Sequence, residues 1–204
     1  MISPKKRILL FAKRPVPGEV KSRLAKAIGD QAAAQVYERL LFKNIKEINN
    51  VRSAERWVFA SKKSDVSWFC QQVRTLGWRI SHQSEGDIGT RMLNAFTRFS
   101  SSKSPTMLVG SDIADLSFRD IEHASRLLEE KNTCVLGPSG DGGYWFIGFN
   151  SVVPLVFSDI PWSSEFVFER TLERVREAKL KLKILPVCSD IDEIHDLMNF
   201  ILKG

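Results

Sequence analysis

Cysteine is scarce in this chain: Cys70, Cys134 and Cys188 are far apart, odd in number and in no ligand spacing. That pattern excludes a disulfide framework and a cysteine zinc site, and it points to a reducing compartment with the thiols as small core or surface residues. Long apolar runs are also missing; none approaches the roughly 18 residues that a membrane span needs. The first fifteen residues place lysine and arginine before an apolar patch, as a secretory leader does. The patch, Ile8 to Ala12, is only five residues long, ends at Lys13-Arg14 and has no small-residue cleavage site. It reads instead as a buried first strand, and the expected location is cytoplasmic. Internal repeats, low-complexity tracts and linkers are absent too, so residues 1–204 read as one domain, long enough to bury a sizeable core.

Histidine is equally rare, and His82, His123 and His195 have neither triad nor ligand spacing. No nucleophile elbow supports serine chemistry. His123 and His195 fall on helical patterns as surface residues, whereas His82 ends a strand near the presumed crevice. The formal net charge is +6, an excess that suits nucleic acid, a membrane surface or an anionic small ligand. Its distribution discriminates among these. Lys5, Lys6, Arg7, Lys13, Arg14, Lys21, Arg23 and Lys26 crowd the first 26 residues, whereas Asp190, Asp192, Glu193 and Asp196 sit near the other end. Basic residues flanking one strand and one loop suit a phosphate site. The aromatic-interleaved basic stripe of single-strand nucleic-acid binders is not there, and the expectation is a partner that is neither nucleic acid nor membrane.

Hydrophobic residues make up 43% of the chain and charged residues 26%, a globular composition. Strand-like runs alternate with amphipathic helical ones. Strands are expected at Arg7–Ala12, Glu55–Ala60, Trp78–His82, Pro105–Gly110, Thr133–Gly137, Tyr144–Phe149 and Leu182–Pro186. Helices are expected after an N-cap at Asp30, over Ser64 to Leu76 with Gly77 as terminator, from Asp87, over Phe118–Lys131, over Ser163 to Ala178 and over Asp192–Leu202. The gap before Tyr144 is too short for a crossover helix, so that strand should pair antiparallel or lie at a sheet edge. The alternation implies a mostly parallel sheet covered on both faces, with ligands at the carboxyl ends of its strands.

Three segments carry the chemistry. Residues 12–24, AKRPVPGEVKSRL, follow the first strand where doubly wound folds place phosphates. Gly18 permits close backbone approach, Lys13, Arg14, Lys21 and Arg23 are cationic donors, and two prolines stiffen the loop. It is neither a Walker A loop nor GxGxxG, and a solvated basic turn is the bland alternative. Residues 109–116, VGSDIADL, put Asp112 at a strand's carboxyl end, where it can coordinate Mg²⁺ or Mn²⁺ through oxygen or simply cap a helix; position alone leaves both open. Ser111 beside it can bond a ligand, and Asp115 is the competing cap. Residues 136–145, LGPSGDGGYW, hold a third of the twelve glycines around Asp141, which suits close approach to a ligand or a hairpin turn.

Weaker signals come from Gly86, Asp87, Gly89 and Arg91 at a helix start, as nucleotide or acceptor contacts. Asp190-Ile191-Asp192, at the end of the last strand, supplies a second metal carboxylate or only caps the last helix. Trp57, Trp68, Trp78, Phe166 and Phe168 read as core, whereas Trp162, in irregular IPWSS, reads as the wall of an acceptor site.

Taken in order, AKRPVPGEVKSRL, GDIGTRM, GSDIADL, GPSGDGGYWFIGF and SDIDEIHDL resemble a bacterial branch of the nucleotide-diphospho-sugar transferase (GT-A-like) superfamily, related to the molybdenum cofactor and phospholactate nucleotidyltransferases. The resemblance spans nearly the whole chain. It implies an α/β fold, a three-layer α/β/α Rossmann-like mixed sheet, mostly parallel with one antiparallel strand. By similarity, Lys13, Arg14, Lys21 and Arg23 would contact the nucleotide phosphates and Asp112 would be the metal aspartate. With the residue readings above, the candidate nucleotide contacts are Ala12, Lys13, Arg14, Gly18, Lys21, Arg23, Gly86, Asp87, Gly89, Arg91 and Ser111, the candidate catalytic residues Asp112, Lys21 and Arg23, and the candidate metal ligands Asp112 and Asp192. The glycine-rich segment and IPWSS supply the candidate acceptor contacts Asp141, Gly142, Gly143, Tyr144 and Trp162. The family pattern G-[ST]-D-x-P-x-L has proline where Ala114 stands here; the exchange relaxes the loop and removes no ligand. The implied activity is Mg²⁺- or Mn²⁺-dependent glycosyl or nucleotidyl transfer from a nucleotide or nucleotide-sugar donor to a small-molecule acceptor, with assembly into a homo-oligomer left open. A non-catalytic nucleotide-binding regulatory module is the competing expectation.

Overall fold

The protein is described from a computed structural model covering residues 6–100 and 104–203; Lys5, part of the basic N-terminal concentration, lies outside them. Among the described residues the strands are β1 (Lys6–Ala12), β2 (Ala54–Ala60), β3 (Arg79–His82), β4 (Thr106–Gly110), β5 (Thr133–Pro138), β6 (Tyr144–Phe149) and β7 (Lys181–Ile184). They form one sheet in the order β3-β2-β1-β4-β6-β5-β7. Every neighbouring pair is parallel except those of β6, which runs antiparallel to both β4 and β5. The short link before β6 therefore makes a hairpin, as its length requires, but it seats β6 inside the sheet rather than at an edge.

Side chains alternate along a strand, and here both directions lead into a core. Ile8, Leu10 and Ala12 of β1 join Val58, Ala60 and Val109 on one face, under helices α2 (Asp30–Asn50), α3 (Val66–Val73) and α5 (Phe118–Leu127). Leu9 and Phe11 point the other way, to Phe59, Leu108 and Ile147 under α4 (Ile88–Thr97) and α6 (Val167–Glu177). Two covered faces explain why β1 reads as a continuous apolar run rather than an alternating one. This is the expected three-layer α/β/α arrangement. Leu41, fully buried from α2, is typical of its cement; truncation to alanine should cost about 2–5 kcal/mol. Among the described residues no helix is long and apolar enough to cross a membrane.

Several local expectations need correcting. A short helix, α1 (Ser22–Ile28), occupies the second half of what reads as a loop. Gly29, at φ 82° and ψ 155°, breaks the chain between α1 and α2, so Gly29 is the N-cap of α2 and Asp30 its first helical residue. The Ser64–Leu76 segment is α3 flanked by 3-10 turns, with Gly77 ending it at φ 75°. α5 stops at Leu127, and α6 begins at Val167 because residues 161–166 turn instead. Phe166 is 56% exposed, not core, whereas Phe168 and Trp68 pack against the two cores and Trp57 and Trp78 are buried. The last helix, α7, spans Ile194–Lys203.

The order β3-β2-β1-β4 means that the chain leaves β1 on one side and returns on the other. The switch point, where open α/β sheets leave a crevice at the strand ends, therefore lies between the carboxyl ends of β1 and β4.

Candidate functional site

Two loops meet at that switch point. The loop after β1, residues 13–21, is pinned by Val20, which is buried, and turns through Gly18 at φ 79°. Its last residue, Lys21, caps α1 in the left-handed region, at φ 50° and ψ 46°. A non-glycine residue held there carries backbone strain, a conformation that persists where surroundings over-determine it. The surroundings here are two carboxylates. Lys21 Nζ donates to Asp112 Oδ2 at 2.6 Å and to Asp192 Oδ1 at 2.7 Å. The lysine side chain is only 3% exposed, whereas those of Asp112 and Asp192 are 35% and 36% exposed towards the cleft. Burial alone disfavours the ammonium, but Asp112 and then Asp192 outweigh it and hold its pKa above the ordinary lysine value.

Asp192 reaches this point because the segment before α7 returns to the β4 loop. Ala114 N donates to Ser189 O at 2.8 Å, and Ile113 and Asp190 form an antiparallel bridge. A proline at position 114 has no N–H to make that bond, so alanine here stitches the two acidic segments together. Neither Asp112 nor Asp115 caps α5. Ser117 does, accepting from Arg119 N, and Asp115 accepts from Ser189 N. Asp190 is pushed up to about 6, first by burial and then by Asp192, with Lys21 pulling the other way.

One residue that sequence patterns treat as ordinary helix filling organises both loops. Tyr37 of α2 accepts from Lys13 N at 2.9 Å, donates to Lys13 O at 3.2 Å and shares a 2.8 Å bond with Ser111 Oγ. Its phenol is pushed up to about 12, mainly by burial. Ser111, itself 5% exposed, is thus a brace between loops. The only sequence signal was a polar-tipped aromatic on an apolar helix face. Gln83 is likewise unforeseen; it lines the cleft while bonding Phe59 O.

The cleft has two lobes. One, of about 690 Å³, is lined by Ala12, Lys13, Lys21, Arg23, Arg91, Ser111 and Asp112. The other, of about 570 Å³, is lined by Asp141, Gly143, Tyr144, Trp162, Glu165 and Asp190. Both include Phe11, Arg23, Ile88, Gly110, Asp112, Ser163 and Asp192, so the carboxylates stand at the junction of a basic lobe and an acidic, aromatic one. A larger cavity of about 890 Å³ lies at the other end of the sheet, around Lys6, Arg52 and Phe99. It lacks the paired carboxylates and basic loop, and chemistry rather than size selects the cleft.

Other sequence-derived candidates fall outside that cleft or serve the fold. Arg14 stands 5.9 Å over the Trp68 ring and does not line it. Asp87 caps α4 by accepting from Thr90 N, and Arg91 Nε holds Gly86 O at 2.7 Å. Gly89 lies under Trp162, whose indole a Cβ would overlap, and Gly142, at φ 84°, lies against the Glu165 backbone. Asp141 closes the β5–β6 turn by accepting from Gly143 N and Ser139 Oγ. The glycine density therefore serves a tight turn and close packing of protein on protein. Tyr144 and Trp162 meet edge to face at 6.5 Å and form the wall of the second lobe. His82 is exposed at the end of edge strand β3, His123 and His195 are exposed on helices, and all three cysteines are free thiols.

A family model described as an uncharacterized protein conserved in bacteria (DUF2064) matches residues 44–164. No curated protein matches the chain significantly. A solved structure from Desulfovibrio desulfuricans G20, provisionally named a nucleotide-diphospho-sugar transferase, is 30% identical; the match covers 96% of this chain and 85% of that one, with a TM-score of 0.86. The 4-diphosphocytidyl-2C-methyl-D-erythritol synthase of Anaerococcus prevotii DSM 20548 is 9% identical, covered at 98% and 97%, with a TM-score of 0.63. A nucleotidyl transferase from Methanothermobacter is 11% identical, covered at 99% and 100%, with a TM-score of 0.61. The two distant structures share the fold.

Proposed function

The chain belongs to the DUF2064 family of bacterial proteins, and from that premise we propose that it is a metal-assisted transferase acting on a nucleotide donor. The observation that carries this reading is the Lys21–Asp112–Asp192 cluster at the junction of the two lobes. The basic lobe suits the donor's phosphates, with Lys13, Lys21 and Arg23 as cationic donors to their oxygens. The acidic, aromatic lobe suits a small acceptor that carries a hydroxyl or amine and lays an apolar face on Trp162.

The donor set fits a hard divalent cation. Asp112 and Asp192 present carboxylate oxygens to the cleft, which is the chemistry Mg²⁺ and Mn²⁺ take. Among the described residues no group of three or more histidines, cysteines and carboxylates is arranged to hold a metal, so phosphate oxygens and water would complete the shell. Such an ion polarises a phosphate oxygen when bound. The chain's own residues do the rest. Arg23 and Lys21 neutralise the charge that develops as the bond to the leaving phosphate breaks. Trp162 and Tyr144 wall the acceptor, and Tyr37 fixes the two loops in register.

Two outcomes use this scaffold. If the acceptor attacks the α-phosphorus, pyrophosphate leaves and the transfer is nucleotidyl; if it attacks an anomeric carbon, a nucleoside diphosphate leaves and the transfer is glycosyl. Identifying the released product separates them. The test of the reading is calorimetry of nucleoside triphosphates and nucleotide sugars with and without Mn²⁺. Asp112→Ala should abolish the metal-dependent part of the affinity. Undiminished Mn²⁺-dependent binding in that variant sinks the proposal, and binding indifferent to metal in the unmodified protein favours the regulatory module.

A further inference from the structure

We infer that Lys21 is a placeholder for the divalent cation: its ammonium occupies the position between Asp112 and Asp192 until nucleotide phosphates draw it away, so that metal enters only with the nucleotide. The inference rests on the transferase reading and deepens it to the order in which the ligands assemble.

The geometry carries the argument. One ammonium contacts both carboxylates, at 2.6 and 2.7 Å, and its side chain is almost wholly enclosed. Each carboxylate remains about one-third exposed on the cleft side, so its oxygens are within reach of a ligand while the space between them is taken. A free divalent ion must displace a buried ammonium already bonded to both carboxylates, and separating such a pair leaves a charge uncompensated. A polyphosphate changes the balance. Lys13 and Arg23 line the same lobe, and among the described residues neither has an ion-pair partner. They are free to draw the phosphates in, and the phosphate oxygens then offer Lys21 a replacement for the two carboxylates. The carboxylates in turn gain a doubly charged ion in place of a singly charged one. The charge of the carboxylate site rises by one, the displaced ammonium passes to the anionic phosphates, and no covalent bond is made or broken.

Binding of the two ligands is then coupled, and coupling is reciprocal: the factor by which nucleotide tightens metal equals that by which metal tightens nucleotide. The experiment titrates Mn²⁺ alone into the unmodified protein and into Lys21→Gln, reading bound metal from the loss of the free-ion paramagnetic resonance signal. Couplings between sites commonly run on the order of 5–150-fold, and Lys21→Gln should bind Mn²⁺ at least about tenfold more tightly than the unmodified protein. Adding Asp112→Asn to Lys21→Gln should remove that gain. Lys21→Met, whose fold is checked beside the first variant by circular dichroism, supplies a second reading with a different side chain. Equal or weaker Mn²⁺ binding in the folded variants overturns the exchange while leaving the transferase reading intact. Absence of Mn²⁺ binding from every protein, with or without a nucleoside triphosphate, overturns the metal assignment and the exchange together.

Discussion

Tyr37 concentrates three polar contacts on one oxygen, and its replacement separates the hydroxyl from the ring. Tyr37→Phe keeps the packing but leaves Lys13 N and Ser111 Oγ without their partner; it should cost about 1–3 kcal/mol in denaturant unfolding and weaken triphosphate binding through the unpinned loop. The phenol also predicts a pH response. Burial lifts it to about 12, above its unfolded value, so its contribution is complete below about pH 10 and is lost as pH rises towards 12. The other tyrosine, Tyr144, is raised too, again by burial. Tyrosinate absorbance should therefore appear only together with unfolding, and a separate titration near pH 10 in the folded protein would contradict this. Asp190 has the same sign with an acidic window. Its carboxyl is raised to about 6, so the protonated form is favoured by folding, and stability is lost as pH rises through that value. Asp190→Asn should raise the melting temperature at pH 8 and change it little at pH 4.

Segments are joined here by few, specific contacts, and these invite substitution. Ala114→Pro would restore the superfamily pattern at the expense of the bond to Ser189 O. We expect it to lower stability by about 1 kcal/mol and to loosen Asp192, seen as weaker Mn²⁺-dependent nucleotide binding; unchanged binding would show that the stitch between the acidic segments is dispensable. In α4, Gly89 lets the helix lie against Trp162. Gly89→Ala should overpack that contact by about 1–3 kcal/mol, and in Gly89→Ala with Trp162→Ala the two costs should fall short of their sum. Strict additivity would mean that helix and indole do not touch in solution.

Across the molecule, positive charge is concentrated where one lobe of the cleft opens, and it acts on anions through solvent. Raising ionic strength from about 0.05 to 0.5 M shortens the screening length from more than 10 Å to a few ångströms. Affinity for a nucleoside triphosphate should fall steeply over that range, while that for the corresponding nucleoside stays nearly constant. Equal salt dependence would move the phosphates elsewhere. The net charge of +6 is spread over other surfaces as well, where Arg170 and Arg174 pair with glutamates in α6 and Lys181 with Glu130. Lys13 and Arg23, exposed in the basic lobe, are therefore distinguished by having no ion-pair partner among the described residues rather than by their number.

Much of this was written in local chemistry. An apolar run with both strand faces buried marks β1, helical spacing marks α2, a short link before Tyr144 forces an antiparallel strand, and a carboxylate after β4 faces a crevice wherever the sheet is parallel. Those inferences need only the period of a strand or a helix and the reach of a short loop. Helix α1 escaped because seven residues are too few for a period to stand out, and Asp87, Asp141 and the glycines were legible as special without showing whether their partner would be ligand or protein. What the chain could not declare along its length is which groups meet. Lys21, Asp112 and Asp192 are separated by 91 and 171 residues from the lysine to each carboxylate, and Tyr37 finds Ser111 across 74. Such pairings depend on the order of strands in the sheet and the register of their ends. These follow from the packing of the whole core, where no short stretch of sequence has a vote of its own.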